Sequence, residues 1–240
     1  MERDNKIIKT PIIEILKECN NGIPRDFGVI MTPMRQYIMQ SLFLKMTGAL
    51  EQKLKCIIWE LSLEDYNLRY EIMRKWEFGE CSSYKDKNNV IKKIFECIDH
   101  NKKGSIRLSQ TDKISILNNV ISECKIVFDV SEIVFWYPRQ FNEYKNLIQI
   151  IVGSKDESKL IDKDLFQKDK ILYKAYDVLY RFRNRCAHNL LVYQNYKKSF
   201  SSMIEKDSEY QNWFLWFFIL ILIDYIFIES YMLYEKTLNE

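Results

Sequence analysis

The side chains best suited to chemistry lie together in one segment near the carboxyl end, YRFRNRCAHNLLVY. This segment holds His188, one of only two histidines, and three arginines at alternate positions, Arg181, Arg183 and Arg185. A histidine can take up or release a proton near neutral pH, and an arginine can bind an anion through two parallel hydrogen bonds. Residues of these types suit proton transfer on an anionic substrate. The other histidine, His100, lies in the polar turn DHNKKG and is expected to be solvated.

The residues before this segment predict the helix that must position it, from about residue 168 to residue 188. Leu172, Tyr176 and Leu179 form an apolar stripe, and at about 100° per residue Arg183 continues that stripe. An arginine on an apolar face needs an acidic partner, a buried anion or a subunit interface. The opposite face is charged and is expected to be solvated, with Lys170, Lys174, Asp177, Arg181 and Arg185.

The angles around this helix bear on how the site is assembled. Asn184 and His188 are one turn apart and share a face, whereas Arg183 lies about 140° from His188 on a regular helix. A regular helix would therefore not aim Arg183 and His188 at the same atom. Two alternatives are open. Either the helix ends near Cys186, or two copies of the segment face each other across a two-fold axis.

The motif residues resemble a known family. The spacing Arg183-Asn184-x-x-x-His188 resembles the R-N-x3-H form of the R-x4-6-H motif of HEPN ribonucleases, and RFRNRCAHN is similar to the motif region of abortive-infection proteins of the Abi-D/F type. ALEQKLKCII resembles a family helix in which a glutamate precedes a base by four residues, here Glu51 and Lys55. FWYPRQFNEYKNLI resembles a Trp-containing stretch that precedes the motif. The chain departs from the pattern after the motif histidine, where Asn replaces the usual second His, and it lacks a tyrosine-rich opening.

The resemblance implies a helical bundle that forms a homodimer with a composite active site and cuts RNA without a metal ion or cofactor. The 2′-hydroxyl of RNA would be the nucleophile, His188 the acid and base, and Arg183 the group on the scissile phosphate. Asn184 would orient the phosphate or the imidazole. The products would carry a 2′,3′-cyclic phosphate and a 5′-hydroxyl. The implied setting is a prokaryotic toxin or anti-phage abortive-infection system, restrained by an antitoxin protein, a regulatory non-coding RNA or a phage-derived trigger.

Each of these residues also has a structural interpretation. His188 could cap the carboxyl end of a helix, where the helix dipole favours a positive charge. Arg183 could pair with Glu51, and for Glu51 support of the arginine is favoured over direct catalysis. Solvation is favoured over RNA contact for three further basic residues, Lys55, Arg181 and Arg185.

The remaining periodicity predicts an all-α fold, a HEPN-like bundle with a long motif-bearing helix and an apolar carboxyl-terminal helix. Residues 126–137 are rich in β-branched and aromatic side chains and suit a strand or a helix; we expect a helix.

One domain is expected, with a helical extension over 1–33 and the bundle over 34–240. The strongest helix spans about 34–61, with apolar positions Leu42, Met46, Ala49, Leu50, Leu54, Ile57, Ile58 and Leu61. Shorter helices are predicted over 6–20, 64–78, 89–99, 111–125 (with Thr111 as N-cap) and 141–151.

The composition narrows the class of protein. The chain has 6 glycines and 4 prolines, too few turn residues for a sandwich or barrel. Its net charge of +3 is not a large basic excess, so RNA contact must come from a local patch. The 6 cysteines form no C-x-x-C pair, so we predict no zinc site and reduced thiols in a cytoplasmic protein. The charged opening MERDNK is not typical of a signal peptide.

The last element, about residues 207–236, is very apolar. Its uninterrupted apolar run, Trp213 to Ile223, is only 11 residues long, and Asp224 and Glu229 then interrupt it. Because a membrane span needs about 20 mostly apolar residues, a core or dimer-interface helix is favoured.

Two alternatives to the ribonuclease are open. One is a non-catalytic HEPN-like module that binds RNA, a nucleotide or a partner protein, and the other is a membrane-associated protein anchored through residues 213–235.

Overall fold

The computed structural model describes residues 2–23, 32–74, 78–101, 106–153, 171–187 and 212–239. Within these ranges the chain forms ten α-helices and no strand, which confirms the all-α prediction. The HEPN-like arrangement of the bundle and the domain boundaries stay predictions. In chain order the helices are α1 (Glu2–Lys9), α2 (Ile13–Gly22), α3 (Thr32–Glu64), α4 (Tyr66–Arg74), α5 (Tyr84–Asn101), α6 (Gln110–Asp129), α7 (Glu132–Trp136), α8 (Pro138–Gly153), α9 (Ile171–Ala187) and α10 (Trp213–Asn239).

The long early helix is confirmed as α3, with a few more residues at each end than the periodicity predicts. Its predicted apolar positions are buried, apart from Ala49, which is half-buried and packs against the core. A stripe repeated every three or four residues covers one side of a helix, so α3 can contact several neighbours along its length. It packs against α1, α2, α4, α5, α9 and α10.

The apolar carboxyl-terminal helix is the centre of the bundle. α10 packs against α3, α5, α6, α8 and α9, and its side chains from Trp213 to Asp224 are buried except Leu215, which is half-buried. A helix that is apolar on all sides needs neighbours on all sides, and α10 has them. By length and composition α10 would also pass as a membrane span, but 83% of its most apolar window is buried inside the bundle. The predicted core helix is therefore confirmed.

The amino-terminal segment is two helices, and the predicted single helix is wrong. α1 and α2 are separated at Pro11, and proline disfavours helical backbone in the residue before it. The break aims the backbone N–H of Ile12 at Asp224 Oδ2, 2.9 Å away. Lys53 of α3 donates to Asp224 Oδ1 and to the carbonyl of Thr10. A buried ion pair therefore joins α3, α10 and the α1–α2 break.

Three local predictions in the middle of the chain need correction. The N-cap of α6 is Ser109, not Thr111, because Ser109 and Asp112 form a reciprocal capping box that starts the helix earlier. α5 begins at Tyr84 rather than near residue 89. It also extends through His100, which is exposed as expected but lies in the last helical turn.

Residues 126–137 are helical, as expected, although the pattern also suited a strand. They form the end of α6 and all of α7, with an interruption at Val130 and Ser131. Ser131 caps α7 by accepting a hydrogen bond from the N–H of Ile133. Burial of Val127, Phe128 and Ile133 against the core accounts for the apolar composition of this stretch.

Candidate active site

Arg183 lies on the buried side of α9, which packs against α3, α5 and α10. Leu172, Tyr176 and Leu179 are buried along this side, which confirms the predicted stripe. The Arg183 side chain continues the stripe at 25% exposure, and its Nη2 donates to Glu51 Oε2 at 2.9 Å. Of the three kinds of partner open to this arginine, the structure supplies an acidic one, Glu51 on α3.

Asn184 holds the other end of the same guanidinium. Its Oδ1 accepts a hydrogen bond from Arg183 Nη1 at 3.2 Å. Arg183 Nε is buried and has no hydrogen-bond partner among the described residues. A guanidinium carries five N–H donors, so besides the buried Nε one donor on each Nη atom remains for a further acceptor, on a side chain that is 25% exposed. The arginine is therefore fixed in direction and still able to bind an oxyanion.

Glu51 is the carboxylate at the centre of the site, and its side chain is 14% exposed. Burial raises the pKa of Glu51 above its ordinary value, while the positive charges of Arg183, Lys87 and Lys55 lower it. Of these three cations only Arg183 is hydrogen-bonded to the carboxylate, and Lys87 and Lys55 act on it through their charge alone.

Lys87 on α5 is a member of this group that the sequence reasoning missed. Its side chain is fully buried, which is rare for lysine, and its charge is influenced by both Glu51 and Arg183. The sequence does hold a signal. Lys87 precedes the buried residues Val90, Ile91 and Ile94 by three, four and seven positions. It therefore occupies an apolar stripe, as Arg183 does on α9.

The loop before α5 is anchored beside these charges. Lys87 Nζ donates to the carbonyl oxygens of Cys81 at 2.8 Å and Ser82 at 3.0 Å. The hydroxyl of Tyr176 on α9 donates to the same Ser82 carbonyl at 2.6 Å. Cys81 has a positive φ of 59°, a left-handed conformation that side chains other than glycine rarely adopt. The loop is thus held in an unusual conformation by α5 and α9 together.

The three basic residues considered as RNA contacts have protein partners in this structure. Lys55 pairs with Glu80 at 2.5 Å, and Glu51 acts on it only through its charge. Arg181 pairs with Asp177 at 2.9 Å on the exposed side of α9. Arg185 is half-buried rather than solvated, and its guanidinium lies 5.8 Å from the Phe182 ring centroid. RNA contact by Lys55, Arg181 and Arg185 stays the less favoured of the two alternatives.

His188 lies outside the described residues, as does Asn189. The described part of α9 ends at Ala187, one residue before the motif histidine. The position of the imidazole, and the choice between a helix end near Cys186 and a composite site, therefore stay predictions. The structure brings together Arg183, Asn184 and Glu51 of the predicted site, and it adds Lys87.

Among the described residues, no three His, Cys, Asp or Glu side chains are grouped to hold a metal ion, and the expected lack of metal and cofactor stays a prediction. A cavity of about 820 Å³ lies between α4 and α5, with Tyr70, Arg74 and Lys92 in its lining. None of the residues predicted for the active site lines it.

Comparisons of the chain with protein-family models, with curated proteins and with solved structures gave no match. The resemblance to HEPN ribonucleases therefore rests on the motif residues of the sequence alone.

Proposed function

We propose that this protein is a metal-independent endoribonuclease of the HEPN type that acts in a prokaryotic toxin or anti-phage abortive-infection system. One observation carries the proposal: Glu51 and Asn184 fix the guanidinium of Arg183, and His188 follows it by five residues in the sequence. An arginine held on an apolar helix face, with unused donors and partial exposure, suits the binding of a phosphodiester.

Arg183 would bind the scissile phosphate and offset the negative charge that grows in the transition state. A donor group held in place before the reaction needs no reorganisation when that charge develops, and this is the source of its effect. Glu51 serves this role indirectly, because its hydrogen bond to Nη2 sets the direction of the guanidinium. Asn184 limits rotation of the guanidinium through its contact with Nη1.

His188 would move the protons of the reaction. The 2′-oxygen of the substrate forms a bond to phosphorus as its proton passes to a base, and the bond from phosphorus to the 5′-oxygen breaks as that oxygen receives a proton. A histidine suits both roles because its ordinary pKa is near neutrality. The products are a 2′,3′-cyclic phosphate and a 5′-hydroxyl end, and the reaction needs no metal-bound water.

The proposed assembly is a homodimer. On a regular helix Arg183 and His188 diverge by about 140°, and two copies around a two-fold axis can supply the arginine of one copy and the histidine of the other to one phosphate. RNA is the proposed substrate and the cytoplasm the proposed location. Such an enzyme needs restraint, for which an antitoxin protein and a regulatory non-coding RNA are the proposed partners.

Cleavage of RNA by the purified protein in EDTA tests the proposal. The parent protein is compared with Arg183→Ala, with His188→Ala and with Arg107→Ala. The last is a matched control because Arg107 also forms an ion pair, with Asp99, which lies twelve residues beyond Lys87 on α5. We expect loss of His188 to reduce the rate by about 10²–10⁴, while Arg107→Ala cleaves as the parent does.

The outcomes separate the proposal from its alternatives. Cleavage that survives in both Arg183→Ala and His188→Ala would remove the site assignment. RNA binding without cleavage by any form of the protein would favour a non-catalytic RNA-binding module. Sedimentation of the parent with lipid vesicles in the same buffer would favour a membrane-associated protein.

A further inference from the structure

Tyr180 lies one helical turn before Arg183 and Asn184 on α9, and the proposed mechanism does not use it. On a helix, residues three and four positions apart are neighbours, with about 5–6 Å between their Cβ atoms. At about 100° per residue Tyr180 falls between the other two around the helix, about 60° from Arg183 and about 40° from Asn184. All three residues are half-buried. Tyr180 therefore belongs to the same partly exposed surface as the guanidinium that is proposed to bind the scissile phosphate.

The ring of Tyr180 is held in direction by Tyr176, one turn earlier on α9. The two rings are nearly parallel, at an interplanar angle of 14° with their centroids 6.4 Å apart. Tyr176 is itself fixed, because its hydroxyl donates to the Ser82 carbonyl at 2.6 Å and Lys87 Nζ lies 4.6 Å from its ring centroid. Tyr176 is buried and Tyr180 is half-buried, so the pair of rings runs from the core to the surface. A flat ring that is oriented before binding loses little conformational freedom when a ligand packs on it.

We propose that Tyr180 is a stacking platform for an unpaired nucleobase next to the scissile phosphate, and that the substrate is therefore single-stranded RNA. This inference rests on the proposed ribonuclease function and names the substrate class of that site. A nucleotide whose phosphate contacts Arg183 has its base within reach of a ring one helical turn away. Every nucleobase has a flat face that stacks on an aromatic ring, whereas a base inside a duplex is already stacked on its neighbours. Stacking on Tyr180 therefore selects for unpaired bases and tolerates all four of them.

A purely structural role for Tyr180 must be separated from base stacking, because its ring also packs against the core. Tyr173 provides the matched control. It is also a half-buried tyrosine of α9, and its ring centroid lies 5.1 Å from that of Tyr84. It precedes Arg183 by ten residues, about 15 Å along the helix. Tyr173→Leu therefore removes a similar ring from the same helix at a distance from the proposed base site.

The experiment measures KM and kcat for cleavage of an unstructured RNA oligonucleotide in EDTA, after its cleavage site has been located from the cyclic-phosphate end. Two further substrates each replace one base that flanks the scissile phosphate by an abasic ribose, which keeps the 2′-hydroxyl and the phosphate. For the parent we expect one of the two replacements to raise KM about tenfold or more, a typical effect of one lost base stack. Tyr180→Leu should already show the raised KM on the intact RNA, and the same replacement should add little, because ring and base form one contact. Tyr180→Phe, which keeps the ring, and Tyr173→Leu should both respond as the parent does.

Two results with the abasic substrates would overturn the inference. In one, neither replacement changes KM for the parent, a result that does not depend on whether Tyr180→Leu folds. In the other, the replacement raises KM for Tyr180→Leu as much as for the parent, which leaves Tyr180 with a structural role only. The same RNA annealed to its complement should be cleaved about tenfold more slowly or worse, and equal rates would contradict a single-stranded substrate. Absence of cleavage of any RNA by the parent would instead overturn the proposed function, and the inference with it.

Discussion

Two ion pairs start from neighbouring positions on α3 and differ in how completely they are enclosed. Glu51 pairs with Arg183 of α9, and two residues later Lys53 pairs with Asp224 of α10. The side chains of Lys53 and Asp224 are 2% and 0% exposed, whereas those of Arg183 and Glu51 are 25% and 14% exposed. We refer to Lys53–Asp224 as the closed pair and to Glu51–Arg183 as the open pair.

The backbone contacts of the closed pair explain why it has no capacity for a ligand. Asp224 also accepts from the N–H of Ile12, and Lys53 also donates to the carbonyl of Thr10. In the open pair, Arg183 Nε has no partner among the described residues, and Lys87 acts on Glu51 as a second cation. Polar groups that are buried and fully bonded fix a structure, while an incompletely bonded cation near the surface can bind an anion.

The largest expected effect of a substitution is on stability, at the closed pair. Lys53→Met leaves Asp224 buried and unpaired, and we expect the free energy of unfolding to fall by about 3–5 kcal/mol. The free energy of unfolding is measured by urea denaturation, with circular dichroism as the probe. The double variant Lys53→Met/Asp224→Leu should recover much of the loss, because it removes the stranded charge. A loss under about 1 kcal/mol for Lys53→Met would mean that the pair is not closed in solution.

The reverse pattern is expected at the open pair. Arg183→Ala should lower the rate of RNA cleavage by about 10²–10³, as the loss of a preorganised donor does elsewhere. The free energy of unfolding should change by about 1 kcal/mol or less, because Glu51 keeps partial exposure and the nearby charge of Lys87. Parallel cleavage and denaturation measurements decide this. Equal damage to folding and activity would show that Arg183 is a structural residue like Lys53.

The contrast between the pairs also shows what the sequence can predict. Arg183 stands out because it interrupts an apolar stripe on a helix of regular period, and Glu51 is its candidate partner through the family resemblance. The structure confirms their contact across 132 residues of chain. It also confirms α3 and the all-α class within the described ranges, because long amphipathic helices carry a strong periodic signal.

The residues that sequence reasoning missed depend on tertiary packing. Asp224 is visible as an interruption of an apolar run, but its partner Lys53 lies 171 residues away on a helix that holds two other lysines. The break between α1 and α2 follows from Pro11. The apolar residues on both sides of this proline have the period of one helix, and that period favours the single helix predicted over 6–20. The cap at Ser109 is hard to predict for a local reason, since serine and threonine two residues apart both suit an N-cap.

A smaller effect is expected when the charge of Glu51 is removed and its shape is kept. In Glu51→Gln the amide oxygen can still accept from Arg183 Nη2, so the arginine keeps its direction but loses its counter-charge. We expect the rate of cleavage to fall about tenfold, because one hydrogen bond loses its charge assistance. The free energy of unfolding should stay nearly constant. Asp224→Asn makes the same chemical change in the closed pair and should mainly destabilise. A Glu51→Gln rate as low as that of Arg183→Ala would instead give Glu51 a direct role in the reaction.

The smallest expected effect is a pH dependence of the free energy of unfolding, caused by Lys87 beside the open pair. Burial lowers the pKa of Lys87 to about 7, whereas the unfolded chain keeps the ordinary lysine value of 10.5. Between these values the unfolded chain binds more protons than the folded chain, so the free energy of unfolding rises with pH, and below that range the slope vanishes. We expect the parent to gain about 1 kcal/mol relative to Lys87→Met between pH 7 and pH 8, measured by urea denaturation of both. If the two denaturation profiles run parallel with pH, Lys87 does not change its protonation on folding, and the open pair would have no cation that titrates near neutral pH.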